Sequence, residues 1–501
     1  MQLGIDLGTT RTIVALVDRG NYPVVSFADA DGDTVDHFPS VVARRGDGLV
    51  YGFEAERAAA EGALLVRSFK RELASGSIAG GTTIDVDGLQ VRLVDLVSGF
   101  LAALADALRT ASNVATLLAD GEPLEAVVAV PAHAHSAQRF LTLEAFRTAG
   151  FSVLGLLNEP SAAGFEFTHR QPRSVNSRRT RVLVYDLGGG TFDASLVRVD
   201  DLTHEVLDSV GVNRLGGDDF DEVLAACART EVGSHVELTE RERAALLDEC
   251  RVAKENLSPQ SKRIALEVGH APVVVGVDAF YAAATPLVEA TLTALEPLLD
   301  GLDDGQLTAA EVAGVYLVGG ASGLPLVARV LRERFGRRVH RSPYPAASTA
   351  IGLAIAADRT SGFHLTDRLS RGFGVFREWD AGAQLAFDAI LDRDQRTSPD
   401  ADVVVTRRYR PVHNVGAFRF VEYSRLGATG QPTGDVVPFG EVLFPYDRAL
   451  RDGRDLGGVP VERVGEGPLV EESYTIDRHG IVTARITDLE DGFSLSSRLA
   501  G

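Results

Sequence analysis

Val182-Leu183-Val184-Tyr185-Asp186-Leu187-Gly188-Gly189-Gly190-Thr191-Phe192-Asp193 is the stretch whose reading decides the architecture. An apolar run of strand character ends in an acid and passes into small residues whose backbone N–H groups stand open. A shorter version opens the chain, Leu3-Gly4-Ile5 followed by Asp6-Leu7-Gly8-Thr9-Thr10. A strand ending in a carboxylate, then a bend of glycine and threonine, offers an acid and N–H donors to a polyphosphate and its metal ion. One such turn is a weak signal. The pair, in separate halves of the chain, predicts two related lobes closing on one nucleotide from opposite sides.

At 501 residues and 45% apolar, the chain is long enough for two or more domains with real cores. Its 70 acidic and 50 basic side chains leave a formal charge of −20, which argues against nucleic-acid or anionic-membrane binding. Cys227 and Cys250 are the only cysteines, both in helical-looking stretches. They read as small core residues, with no disulfide framework and no cysteine-based zinc site. The first strand begins at Gln2 with no basic leader, and no run of roughly eighteen apolar residues occurs. A cytoplasmic protein without a transmembrane helix is expected.

Strand-like and helix-like segments alternate from residue 1 to about 358, the pattern of an α/β domain. Leu96, Val97, Phe100, Leu101, Leu104 and Leu108 recur at helical spacing. So do Leu246, Cys250, Ala253 and Leu257, after the capping-box start Thr239-Glu240-Arg241-Glu242. Ala126 to Val130 and Val315 to Val318 read as buried strands. The arginine-rich stretch from Thr168 to Arg181 carries no acid and reads as a solvated loop between the lobes. Past Asp358 the helical rhythm stops and short alternating runs take over. Residues 359–366 are read as a connector and 367–501 as a β domain, in which Ser473 to Ile486 is a hairpin.

Several motifs, in sequence order, now carry a resemblance. They are Gly4 through Thr10, Phe69-Lys70-Arg71, Val130-Pro131-Ala132 with Ala137-Gln138-Arg139, and Leu157-Asn158-Glu159-Pro160-Ser161-Ala162-Ala163. Asp186 through Asp193, Leu215 through Asp221, Ala253-Lys254 with Leu257-Ser258, and Leu317-Val318-Gly319-Gly320 complete the series. The chain resembles the heat-shock protein 70 (DnaK-type) chaperones of the actin-like ATPase superfamily. The likeness runs through the first 358 residues and weakly through the remainder. It implies an α/β fold: a two-lobed actin-like (ribonuclease H-like) ATPase domain followed by a small β-sandwich-like domain.

It also implies ATP/ADP and Mg2+ as ligands. Asp6 and Asp186 would be the magnesium partners, largely through coordinated waters. Gly8, Thr9, Thr10, Gly188, Gly189, Gly190 and Thr191 would face the phosphates, and Gly216, Gly217, Asp218, Gly319 and Gly320 would complete the nucleotide site. Lys70 would orient the attacking water and stabilise charge, Glu159 and Asp193 would help orient that water, and Thr191 would place a hydroxyl near the leaving phosphate. Pro131 and Arg139 match positions that relay nucleotide state. Arg11 departs from the family pattern and either adds a phosphate contact or faces solvent.

The base side departs further. Lys254 and Ser258 match, but Arg251 stands where a glutamate is expected, Glu255 and Gly323 where stacking arginines are expected, and Ala346 where an acid is expected. Weaker nucleotide binding with relaxed base preference is the expectation. The second domain implies extended or unfolded polypeptide clients, with a J-type co-chaperone and a nucleotide-exchange factor as partners and a monomeric state. The chain stops at Gly501 without a counterpart of the helical lid, and Gly362-Phe363-His364-Leu365 keeps only part of the family's aliphatic linker. These departures support an alternative, a slow nucleotide-gated protein with one dedicated partner. A filament-forming or sugar-kinase relative shares the phosphate turns, but Glu159-Pro160, Gly216-Gly217-Asp218 and the β domain argue against it.

Overall fold

The computed structural model describes residues 1–29, 31–74, 82–119, 121–170, 179–233, 237–300, 312–366, 369, 371–379, 384–392, 395 and 401–497. Most of the arginine-rich stretch, Gln171 to Arg178, and Asp367 at the expected start of the β domain lie outside the described residues. The chain divides into two compact units. Met1–Leu73, Thr83–His133 and Glu144–Leu365 form the first; Ala74–Thr82, Ala134–Leu143 and Thr366–Gly501 form the second.

The first unit contains one topology twice. The strand Gln2–Leu7 pairs antiparallel with Arg11–Leu16 and parallel with Leu124–Val130, which pairs parallel with Phe151–Asn158. Likewise Arg181–Leu187 pairs antiparallel with Phe192–Asp200 and parallel with Val312–Val318, beyond which lies Val339–Arg341. Each central strand is covered on both faces, as parallel pairing under helices demands: Leu3, Ile5 and Leu7 are buried on one face of the first with Gly4 packed on Ala354 from the other, and Leu183, Tyr185 and Leu187 alternate with buried Val182 and Val184 in the second. The quoted turns therefore occupy equivalent places, each at the carboxyl end of a central strand, where open α/β sheets present their ligand crevice.

The helical periodicities are realised. Leu93–Thr110 buries Leu96, Val97, Phe100, Leu101, Leu104 and Leu108. Glu240–Glu255 begins at a complete capping box, with the Glu242 carboxylate accepting from the Thr239 N–H at 2.8 Å; Leu257 falls just beyond the helix end. Cys250 is buried and Cys227 is half-buried. No helix among the described residues is long and apolar enough to cross a membrane.

Two close approaches set where the site residues stand. The helix Ser348–Ala357 presses on the opening strand, so that a Cβ at Gly4 would lie 2.2 Å from the Ala354 backbone nitrogen. The same helix meets Glu159–Arg170, where a Cβ at Gly352 would lie 1.8 Å from the Ala162 carbonyl oxygen. One contact seats the strand that ends in Asp6, the other the helix that begins with Glu159. At the end of this unit, the Phe363 ring packs against Phe165, His169 and His204. The His364 N–H donates to the Leu202 carbonyl at 3.0 Å. The connector is thus held by aromatic contacts rather than an aliphatic run.

The second unit is a β-sandwich. One sheet is built from Gly372–Trp379, Gln384–Leu391, Val415–Leu426 and Pro432–Pro445, the other from Val403–Tyr409, Val470–Ile476, Val482–Asp488 and Ser494–Ser497. Phe373, Phe418, Phe420 and Phe444 from one sheet share a core with Val470, Tyr474, Ile476 and Ile486 from the other. The expected hairpin is present, Val470–Ile476 with Val482–Asp488. The buried Glu472 accepts from both Nη atoms of Arg377 at 2.8 and 3.0 Å and from the Tyr474 hydroxyl. Arg139 also falls in this unit and donates to the His479 carbonyl at 3.2 Å.

Replacing Gly352 by Ala should destabilise the first unit by about 1–3 kcal/mol, because the obstructing atom is backbone and cannot swing aside. Chemical denaturation would register this as a lower midpoint; an unchanged midpoint would show that the two helices can part without cost.

Candidate functional site

Both quoted turns open onto one cleft of about 400 Å3. Asp6, Gly8, Thr9 and Thr10 reach it from one sheet, and Asp186, Gly188, Gly189 and Thr191 from the other. Lys70, Glu159, Gly217, Asp218, Lys254, Gly319 and Gly320 complete this set of expected residues on its wall. Gly190, Asp193, Gly216 and Ser258 are not on the wall. The Gly190 carbonyl turns to Arg71, and Asp193 lies across the hairpin from Asp186, accepting from the Ala132 N–H at 2.9 Å. Gly216 packs on Gly189, where a Cβ would come within 2.6 Å of the carbonyl oxygen. The Ser258 N–H donates to Ser261 Oγ at 3.1 Å on exposed surface.

Local structure explains how the charged groups converge. Phe69–Ala74 is a short 3-10 helix whose Phe69 is buried against Phe100, and this anchors Lys70. Lys70 Nζ donates to Glu159 Oε1 at 2.6 Å, and both side chains are buried. Asp186 and Asp193 are buried as well, while Asp6 keeps some access to the cleft.

The cluster is short of positive charge. Withdrawal from water raises the Asp6 pKa to about 7; Glu159 adds to the rise and Lys70 opposes it. Burial holds Asp186 well above the usual carboxylate range, reinforced by Glu159, Asp6 and Asp193. Asp193 is raised in the same way, first by burial and then by Glu159. Burial works against the Lys70 ammonium, but Glu159 and Asp6 outweigh it and raise its pKa. A cation placed among these acids would relieve their repulsion.

The donor set suits Mg2+ with a polyphosphate. Magnesium takes one or two carboxylates and keeps much of its water, and Asp6 with Asp186 offer that pair. Among the described residues no group of three or more His, Cys, Asp or Glu side chains is arranged as a denser metal cage. The backbone packed against Asp186 leaves no room for a side chain. Gly319, at φ +83°, would carry its Cβ only 2.3 Å from Asp186 Oδ1.

Further along the cleft the charges are paired. Lys254 Nζ lies 2.6 Å from Asp221 and donates to the Gly217 carbonyl at 2.6 Å. Arg251 pairs with Asp248 at 3.1 Å, and Arg11 with Glu255 at 2.5 Å. Arg11 neither meets a phosphate donor turn nor stands alone in solvent: it makes an exposed ion pair with Glu255 on the cleft wall. Two arginines carry more than the sequence reading gave them. Arg71 ties the Gly190 carbonyl, at 3.0 and 3.1 Å, to Asp219 at 2.6 Å. Adjacency to Lys70 was its one sequence signal. Arg341 also lines the cleft, and no local motif marks it.

The Asp6 shift sets a pH dependence. A carboxyl with a raised folded pKa stabilises in its protonated form, so its contribution is full below 3.8 and is lost as pH rises towards about 7. Asp6→Asn should therefore raise the Tm of the ligand-free protein at pH 8 by roughly 2–5 °C, with a smaller rise at pH 5. An equal change at both pH values, measured by calorimetry, would contradict the charge account.

A family model described as Hsp70 protein matches residues 102–384, more than half of the chain. The chain is similar to the chaperone protein HscA homolog of Burkholderia orbicola (strain MC0-3), 36% identical over 379 residues, which are 72% of this chain and 59% of that protein. The corresponding protein of Burkholderia ambifaria (strain MC40-6) is 37% identical over 378 residues, again 72% and 59% of the two chains. The chain thus aligns with about 59% of the length of these relatives. With its two-lobed actin-like (ribonuclease H-like) domain followed by a β-sandwich, the chain belongs to the Hsp70 family.

Proposed function

We propose that the first unit binds Mg-ATP and hydrolyses its terminal phosphoanhydride bond, and that the β-sandwich binds extended or unfolded polypeptide in response to the bound nucleotide. The observation that carries this reading is the excess of enclosed carboxylates where the two glycine turns meet. Names of the similar proteins, which are chaperones, support it. In this reading residues 1–358 are the ATPase domain, 359–366 the linker and 367–501 the client-binding domain of a cytoplasmic, monomeric chaperone. A J-type co-chaperone and a nucleotide-exchange factor are its partners.

Hydrolysis of a phosphoanhydride depends on positioning and charge neutralisation more than on covalent help. Mg2+, held by Asp6 and Asp186 largely through water, would neutralise charge on the transferring phosphate. Gly8, Thr9 and Thr10 face Gly188, Gly189 and Thr191 and bind the phosphates through N–H and hydroxyl donors. The buried Lys70 ammonium, fixed by Glu159 at 2.6 Å, stabilises the developing charge. Glu159, on the cleft wall, accepts a hydrogen bond from the attacking water and orients it, while Asp193 acts from behind the wall, holding the Ala132 N–H. Lys254 holds the ribose side from its anchor on Asp221.

Single-turnover hydrolysis tests the reading. Lys70→Ala and Asp186→Asn should each slow the step by about 100-fold or more. For Lys70→Ala the Kd for Mg-ATP should change by less than about tenfold, since its contribution lies in the transition state. Unaltered rates in both variants would remove the assignment. Binding of an unfolded polypeptide should be tighter with ADP than with ATP; capture of one stable partner and no response to peptides would favour the dedicated-partner alternative.

A further inference from the structure

Five cationic side chains line the candidate cleft: Arg11, Lys70, Arg251, Lys254 and Arg341. Four of them are already matched by an acid, Arg11 by Glu255 at 2.5 Å, Lys70 by Glu159 at 2.6 Å, Arg251 by Asp248 at 3.1 Å and Lys254 by Asp221 at 2.6 Å. Arg341 has no hydrogen-bond or ion-pair partner among the described residues. An unpaired cation on the wall of a cleft is available to a ligand in a way the other four are not.

Its position is set by the sheet. Arg341 closes the strand Val339–Arg341, registered on Leu317 of Val312–Val318, so it emerges at the same carboxyl edge as Gly319 and Gly320. The guanidinium lies over Gly323, where a Cβ would stand 3.0 Å from Nη2. The absence of a side chain at 323 is what leaves room for it. Leu324, next to Gly323, and Pro345 and Ala346 give the same cleft a small apolar stretch of wall. A planar, weakly hydrated cation beside such a wall suits a flat aromatic face better than a compact anion. The phosphate donors, by contrast, belong to the two glycine turns.

We propose that Arg341 stacks its guanidinium on the nucleobase, supplying from a strand end the contact that Gly323 and Glu255 do not provide. This rests on the nucleotide reading above and adds to it a residue that determines affinity for the base. It also narrows the expected relaxation of base preference, because a stacked guanidinium favours purines by area without reading their edges.

Calorimetry on the full chain separates the two claims, with Mg-ATP and Mg-tripolyphosphate titrated into wild type, Arg341→Ala and Arg341→Lys. Arg341→Ala should weaken Mg-ATP by about 3- to 30-fold and leave tripolyphosphate unchanged. Arg341→Lys should fail to restore wild-type affinity, since an ammonium keeps the charge but lacks the planar face. Equal losses for both ligands would place Arg341 on the phosphates and overturn the inference, as would an unchanged affinity for Mg-ATP. Wild type that does not bind Mg-ATP would overturn the nucleotide reading itself.

Discussion

Four carboxylates, Asp6, Glu159, Asp186 and Asp193, are gathered around the ammonium of Lys70, and the ordering of the first unit serves to keep them there. Like charges withdrawn from water do not stay together unless the surrounding structure leaves them no alternative. Here the constraint is supplied by two copies of one sheet topology, each carrying an aspartate as the next-to-last residue of its central strand. In the proposed function, the unfavourable electrostatics of the cleft are what a cation, and the polyphosphate that travels with it, would relieve. Raised carboxyl pKa values and a high demand for positive charge are two expressions of the same arrangement.

The second unit meets the same problem with the opposite solution. Glu472 is fully buried but receives a bidentate arginine and a tyrosine hydroxyl, and the buried Asp488 is held by Arg451 at 2.7 Å. Each of those acids meets a fixed charged or hydrogen-bonding partner, which is how a structural carboxylate is kept. Glu159 has Lys70 and Asp193 has the Ala132 N–H, but Asp6 and Asp186 have no hydrogen-bond or ion-pair partner among the described residues. The contrast between the two units separates carboxylates held by a fixed partner from Asp6 and Asp186, which have none among the described residues.

Precision in the cleft depends on contacts outside it. Gly4 and Gly352 let the helix Ser348–Ala357 come against the opening strand and against Glu159–Arg170 at backbone distance. Any larger residue would push apart the elements that carry Asp6 and Glu159. Arg71 plays a related part on the other side, joining the Gly190 carbonyl to Asp219 and so tying the second glycine turn to the start of the helix Gly217–Val232. A change of one methyl group at a remote glycine is thereby transmitted to the spacing of the acids.

The glycine turns, the central strands and the capped helix after Thr239 were legible in the sequence, because each is specified by residues within a few positions of one another. Lys70 and Glu159 were picked out only by the family resemblance of the motifs that carry them. Which charges neutralise each other was not legible: Arg11 and Glu255 are 244 residues apart, and Lys70 and Glu159 are 89 apart. The place of Arg341 was equally hidden, since the space it fills is created by the missing side chain of Gly323 on a separate element. Sequence alone determined the local turns and the alternation of elements, through periodicity and backbone chemistry that act over short range. Tertiary structure alone decided the charge balance of the cleft and which cation is left over, because electrostatic pairing depends on distance in space and the chain sets that distance only when both lobes have closed.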